Sequence, residues 1–166
     1  MNIINKRFLR LSGLTTLVML TILNKAYAAT ATTTMSVKVN VVGHCTISAT
    51  DFLFEDYDGT GGQALIQSPQ TPITVTCANG EAYTIGANAG SGTFSNRTMK
   101  NGANSINYNL YTDSGYTNVW NNTTQLINGT GTGAAQNPIV YGQIPANQTA
   151  NTGLLYSDTL TLTLKY

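Results

Sequence analysis

Charge is scarce in this chain. Of its 166 residues only 9% are Asp, Glu, Lys or Arg, and there is one histidine and one tryptophan. The charge is also unevenly placed. Lys6, Arg7, Arg10 and Lys25 lie in the first 28 residues, so Lys38, Arg97, Lys100 and Lys165 face seven acids over the remainder, a net charge of −3. Such a remainder lacks the clustered Lys and Arg that hold nucleic acid or an anionic membrane. The single histidine narrows the catalytic options. Any Ser-His-Asp or Cys-His relay must use His44, and a structural zinc site needs four ligands. Long apolar runs are missing as well. The longest, Leu11 to Leu23, is diluted by Ser, Gly and Thr and falls short of the roughly 20 residues of a membrane span. No transmembrane anchor is expected.

That short apolar run has a different reading. Lys6, Arg7 and Arg10 precede it without an acid, and Ala26-Tyr27-Ala28 follows with small residues where a signal peptidase cuts. Residues 1–28 therefore read as a secretory signal peptide. In an exported chain the two cysteines, Cys45 and Cys77, read as a disulfide rather than as free thiols. Oxidised in this way, Cys45 is no nucleophile. The bridge closes a loop of about 32 residues, for which the chain-entropy model gives about 3–4 kcal/mol.

Beyond residue 28 the composition favours strands: Thr, Tyr, Val and Ile are common, and the helix formers Glu, Lys and Arg are few. Period-two alternation, the mark of a half-buried strand, appears in several segments. Met35, Val37, Val39 and Val41 alternate with Ser36, Lys38 and Asn40. Ile73 and Val75 run into Cys77. Ile106, Tyr108 and Leu110 alternate with asparagines, and Leu160, Leu162, Leu164 and Tyr166 with Thr161, Thr163 and Lys165. Residues 139–144 form a further short candidate. Asp58-Gly59, Gly61-Gly62, Asn79-Gly80, Asn101-Gly102, Ser114-Gly115 and Asn128-Gly129 punctuate them as turns. Many short strands with frequent turns imply an all-β sandwich in one domain, with no second composition regime.

Three features invite a chemical reading. Glu55, Asp56 and Asp58 cluster as calcium ligands or glycosidase carboxylates do, but without the D-x-D-x-D-G spacing, and a solvated turn is expected. Gly129-Thr-Gly131-Thr-Gly133 has the glycines of a dinucleotide fingerprint, yet Gln136-Asn137-Pro138 starts no helix, and a flexible loop is expected. The alternation from Met35 to Val41 has two arrangements open to it. It is the first strand of the domain's own sandwich, or an extension that docks into a different molecule.

From Cys45 to Tyr166 the chain resembles the spore coat protein U domain family, which includes subunits of archaic, Csu-type chaperone–usher pili. The likeness is carried by Cys45-Thr46-Ile47-Ser48, Phe54-x-x-Tyr57-Asp58, Ile73-Thr74-Val75-Thr76-Cys77, Tyr83-Thr84-Ile85 and Arg97-Thr98-Met99. It continues through Tyr108-Asn109-Leu110-Tyr111-Thr112-Asp113, Trp120, the run from Val140 to Gln148 and the run from Tyr156 to Tyr166. Two departures stand out: Glu55 replaces the glycine usual after that Phe, and Gly153-Leu154-Leu155-Tyr156 carries one extra residue.

The resemblance implies an incomplete immunoglobulin-like β-sandwich that lacks its last strand. A periplasmic chaperone supplies that strand first, and the N-terminal extension of the next subunit supplies it later. On this reading residues 29–42 are the donor-strand extension, with Met35, Val37, Val39 and Val41 as inserted side chains. Residues 43–166 are the pilin-like domain. Leu160, Leu162, Leu164 and Tyr166 would border the groove and meet the chaperone, the strand being expected to run to the chain's end. The expected function is structural, with no cofactor or enzymatic activity: head-to-tail polymerisation into a surface fibre that supports adhesion and biofilm formation. Its partners would be identical or homologous subunits, the chaperone and an outer-membrane usher, met during export through the periplasm. The alternative is a self-contained secreted coat or matrix protein of the same fold.

Overall fold

The computed structural model describes residues 29–166. The predicted signal peptide lies outside them. The chain divides into a unit ending at Val39 and a unit comprising Asn40–Tyr166. In the first unit, residues 29–39 adopt no strand, and Met35, Val37 and Val39 are 84, 84 and 85% exposed. The alternation there forms no strand among the described residues.

In the second unit, alternation becomes strand almost wherever the sequence carries it. In chain order the strands are β1 (Cys45–Ala49), β2 (Ile66–Gln70), β3 (Ile73–Cys77), β4 (Ala82–Ala87) and β5 (Arg97–Asn101). They continue with β6 (Asn104–Tyr111), β7 (Ile127–Thr130), β8 (Ala135–Gln136), β9 (Val140–Ile144) and β10 (Leu162–Lys165). No helix occurs among the described residues, and none there is long and apolar enough to cross a membrane.

The strands form three antiparallel sheets in the orders β1-β3-β8, β10-β4-β7 and β2-β9-β6-β5. This is an all-β, immunoglobulin-like arrangement. Turn chemistry sets the register. Asn101 pairs with Asn104 across Gly102-Ala103, and Gly102 has φ +59°, the left-handed value that the first position of a tight hairpin requires. The pattern in β3, with Ile73, Val75 and Cys77 buried, repeats in β9 with Val140, Gly142 and Ile144. These inward faces meet Tyr83, Ile85, Ile106, Tyr108 and Leu110 around the buried Trp120. The indole nitrogen of Trp120 donates to the Ile85 carbonyl at 3.0 Å, so the ring is buried without stranding its polar atom. Cys45 and Cys77 face each other in the β1–β3 ladder and are bonded.

One expectation is corrected. The glycine-rich stretch from Gly129 to Gly133 is not simply a flexible loop. Gly129 lies in β7, the Gly131 amide donates to the Glu81 carbonyl at 2.7 Å, and the Gly80 amide donates to the Gly131 carbonyl at 2.9 Å. A Cβ on Gly129 would fall 2.3 Å from the Tyr83 ring. The glycine leaves room for this ring to approach the backbone closely and does not loosen it.

Candidate functional site: an open apolar groove beside the last strand

β10 has one partner. Leu162, Thr163, Leu164 and Lys165 pair with Ala87, Gly86, Ile85 and Thr84 of β4. Among the described residues no strand pairs with its other edge. β1 likewise pairs only with β3. The side chains that alternation directs inward, Leu160, Leu162 and Leu164, reach the core but remain half-buried. Leu160 lies before the first residue of β10, so the strand is shorter than its leucine pattern. A leucine that touches core on one side and solvent on the other retains apolar surface that a further layer would bury.

An opening onto the core lies beside this row. Between the segments Ala49–Phe54 and Leu155–Leu162 opens a cavity of about 540 Å³ whose inner wall includes Ile73, Leu110, Trp120 and Val140. Its rim carries Leu53 and Leu155, 70 and 83% exposed. The last segment is anchored at the cavity's edge. Ser157 and Lys100 exchange both backbone hydrogen bonds, at 2.8 and 3.1 Å, so the chain leaves the margin of β5 there. By Thr161 it has reached the β4 side, where the Asn88 amide donates to the Thr161 carbonyl at 3.0 Å. Between these points the Asp158 carboxylate accepts from the Tyr108 hydroxyl at 2.7 Å and from the amides of Ser91 and Thr159, each at 2.9 Å. Burial and the neighbouring carboxylate both push the Tyr108 phenol far above the ordinary tyrosine range.

An unpaired strand edge beside an exposed stretch of core is an aggregation hazard in an isolated protein. It is also what an added β-strand recognises: backbone groups pair along the edge, and alternate side chains enter the groove.

The other residues singled out by sequence take up plain positions. Met35, Val37, Val39 and Val41 are exposed and outside any strand. Tyr166 is 58% exposed, with its ring edge-on to His44 at 6.4 Å. Glu55, Asp56 and Asp58 lie on an exposed loop, where the Asp58 carboxylate accepts from the Thr60 amide at 2.9 Å. No group of His, Cys, Asp or Glu among the described residues is placed to hold a metal. Sequence reasoning missed Tyr108 and Asp158 as a pair, and it missed Arg97. The Arg97 side chain is fully buried and donates to Asn109 Oδ1 at 2.7 Å, the Trp120 carbonyl at 2.7 Å and the Asn88 carbonyl at 2.9 Å. No signal in the sequence marked it as a buried hydrogen-bonding centre.

The family model for the Spore Coat Protein U domain matches residues 31–163. Among solved structures, the chain is similar to a chain in the crystal structure of the CsuC–CsuE chaperone–tip adhesion subunit pre-assembly complex from the archaic chaperone–usher Csu pili of Acinetobacter baumannii. The TM-score is 0.52 and the sequence identity 21%, over 76% of this chain and 40% of that one. This chain thus spans less than half of the matched chain's length. No curated protein matches.

Proposed function

The chain belongs to the Spore Coat Protein U domain family, and on that premise we propose that it is a structural subunit of a chaperone–usher pilus, completed by a β-strand donated from another chain. The observation that carries this reading is the half-buried row Leu160, Leu162 and Leu164 beside a free strand edge and an opening onto the core. Strand addition of this kind is the known mode of chaperone–pilin complementation.

The donor is the segment from residue 29 to residue 42 of the neighbouring subunit. Its Met35, Val37, Val39 and Val41 have the two-residue step of a strand face. Full burial of such side chains contributes about 1.5–3 kcal/mol each before ordering costs. Before assembly a periplasmic chaperone fills the groove, pairing beside Leu160, Leu162, Leu164 and Tyr166, and an outer-membrane usher exports the chain. Head-to-tail donation is a heterologous, non-closing contact, so the product is a filament, displayed on the cell surface in support of adhesion and biofilm formation.

The test is to co-express the full chain, and a chain lacking Ala29 to Val42, with the cognate chaperone and usher. The full chain should give detergent-resistant ladders. The trimmed chain should elute from gel filtration as a one-to-one chaperone complex and not chain. If instead the full chain, exported without any helper, is a stable monomer and the trimmed chain misfolds, residues 30–42 belong to its own domain. The self-contained coat or matrix protein would then be the correct reading.

A further inference from the structure

The outer face of the sheet β2-β9-β6-β5 carries a feature that strand donation does not use. In β9 the residues Val140, Gly142 and Ile144 are buried, so Tyr141 and Gln143 point away from the core. Tyr141 stands opposite Tyr111 of β6 on one side and Pro69 of β2 on the other. Gln143 stands opposite Gln67 and accepts from the Tyr111 hydroxyl at 3.2 Å. A third ring completes the group. Tyr116, from the loop after β6, lies edge-on to Tyr111 at 5.6 Å and to Tyr141 at 5.9 Å, with interplanar angles of 72° and 79°. All three rings are partly exposed.

Tyr116 is held in place against its backbone preference. Its φ is +53°, in the left-handed region that bulky residues avoid. The Asp113 carboxylate maintains this geometry. It accepts from the Asn118 amide at 2.7 Å, the Thr117 hydroxyl at 2.8 Å and the Thr117 amide at 3.3 Å. A loop that needed only to turn here would do so at less cost with glycine. What the strained conformation secures is the position of one aromatic ring. Strain of this sort, maintained by surrounding hydrogen bonds, gathers at ligand sites.

The chemistry of the group selects a ligand class. Gln67, Pro69, Tyr111, Tyr116, Tyr141 and Gln143 carry no formal charge, so an anionic ligand finds no cation to pair with, and a cationic one meets ring faces alone, with no carboxylate among these six residues. Aromatic faces are electron-rich and attract the weakly positive C–H groups of an apolar surface. Amide and phenol tips supply donors and acceptors at the margin. Rigid tyrosines contribute contact area at little entropic cost. A ligand with C–H groups on one face and hydroxyls around its edge fits both. We propose that the cluster Tyr111, Tyr116 and Tyr141, flanked by Gln67 and Gln143, is a binding site for a neutral saccharide.

The site lies on the opposite side of the sheet from the core, and its test does not depend on how subunits join. Full chain recovered from the exported fraction is applied to immobilised neutral oligosaccharides (cello-, chito- and malto-pentaose) and to an acidic control, oligogalacturonate. The expected result is retention on at least one neutral glycan and none on the acidic one. Tyr116→Gly is the decisive variant, because glycine suits the φ at that position and leaves the loop folded. It should lower affinity at least tenfold while the melting temperature stays level or rises. Tyr116→Phe should keep affinity within about threefold. The proposal is overturned if no neutral glycan is retained at millimolar concentration, or if Tyr116→Gly binds like the parent. It is also overturned if the variant changes only how fibres or subunits associate, which would assign the face to a second copy of this chain.

Discussion

The hydroxyl of Tyr108, in the middle of β6, donates to the carboxylate of Asp158, 50 residues later in the chain, at 2.7 Å. The bond fastens the segment ahead of β10 at the margin of the groove, and it makes stability sensitive to alkali. Burial first, then the hydrogen bond and charge of Asp158, raise the Tyr108 phenol above its value in the unfolded chain. A raised value means the folded state holds the proton more tightly. The contribution is therefore complete below the unfolded value of about 10 and is lost as pH rises beyond it. Thermal melts of the parent should be flat with respect to this group up to about pH 10 and decline above it. Tyr108→Phe should melt lower at pH 7, by the equivalent of about 1–3 kcal/mol, and show a shallower alkaline decline. An equally steep decline in the variant would show that another group titrates.

Arg97 is a buried cation whose three hydrogen bonds go to Asn109 Oδ1 and the carbonyls of Asn88 and Trp120. Its ring contact is with Phe94, 5.5 Å from the guanidinium. A planar fork reaches acceptors on three segments at once, which an ammonium on a flexible stem does not. Arg97→Lys should therefore destabilise by about 1–3 kcal/mol for each acceptor left unpaired. The urea midpoint, measured at constant m-value, reads this directly. A midpoint within error of the parent would mean that water replaces the fork at no cost.

How much of this was legible beforehand follows from what each feature depends on. Strands β3 and β6 were readable because one buried face writes itself as alternation, and β9 was readable only as a short strand candidate. The tight turn at Gly102 was readable because it needs a glycine locally. The disulfide was readable from cysteine count and export. Arg97 was opaque, because its burial depends on acceptors at Asn88, Asn109 and Trp120 that come together only in the folded chain. The Tyr108–Asp158 bond was opaque for the same reason, since nothing in the spacing of the two residues links them. Gly129 was misread as a loosening residue because its partner, the Tyr83 ring, comes from another strand. The row Met35 to Val41 has the period of a strand but forms none among the described residues, a difference that periodicity alone does not register.

The Cys45–Cys77 bond ties the edge strand β1 to β3 directly across the ladder, with a sequence separation of 32. The edge that β1 leaves unpaired is thereby fixed to the core rather than free to fray. Replacing both cysteines by serine should lower unfolding stability by about 3–4 kcal/mol on the chain-entropy model. The double variant is preferred to either single one, which would leave a reactive thiol. Chemical denaturation under oxidising conditions measures the loss. A change below about 1 kcal/mol would mean that β1 is held by its backbone pairing and side-chain packing alone.

The donor-strand reading makes a demand with a distinctive pattern. Val37 and Val39 are almost fully exposed in this chain, so placing a charge there should leave its own domain's melting unchanged. In a neighbour's groove the same carboxylate would be buried without a partner, at a cost of several kcal/mol, in place of the roughly 1.5–3 kcal/mol that each valine contributes. Val37→Asp and Val39→Asp should therefore each abolish detergent-resistant ladders. Ser36→Asp and Asn40→Asp, which belong to the alternate face, should chain nearly as well as the parent. The informative result is the alternation itself, read by electrophoresis without boiling and by electron microscopy of cells. A strand seated in a groove must discriminate between its two faces, and a tether or a disordered tail need not. Equal tolerance at all four positions would leave the groove beside β10 without this segment as its occupant.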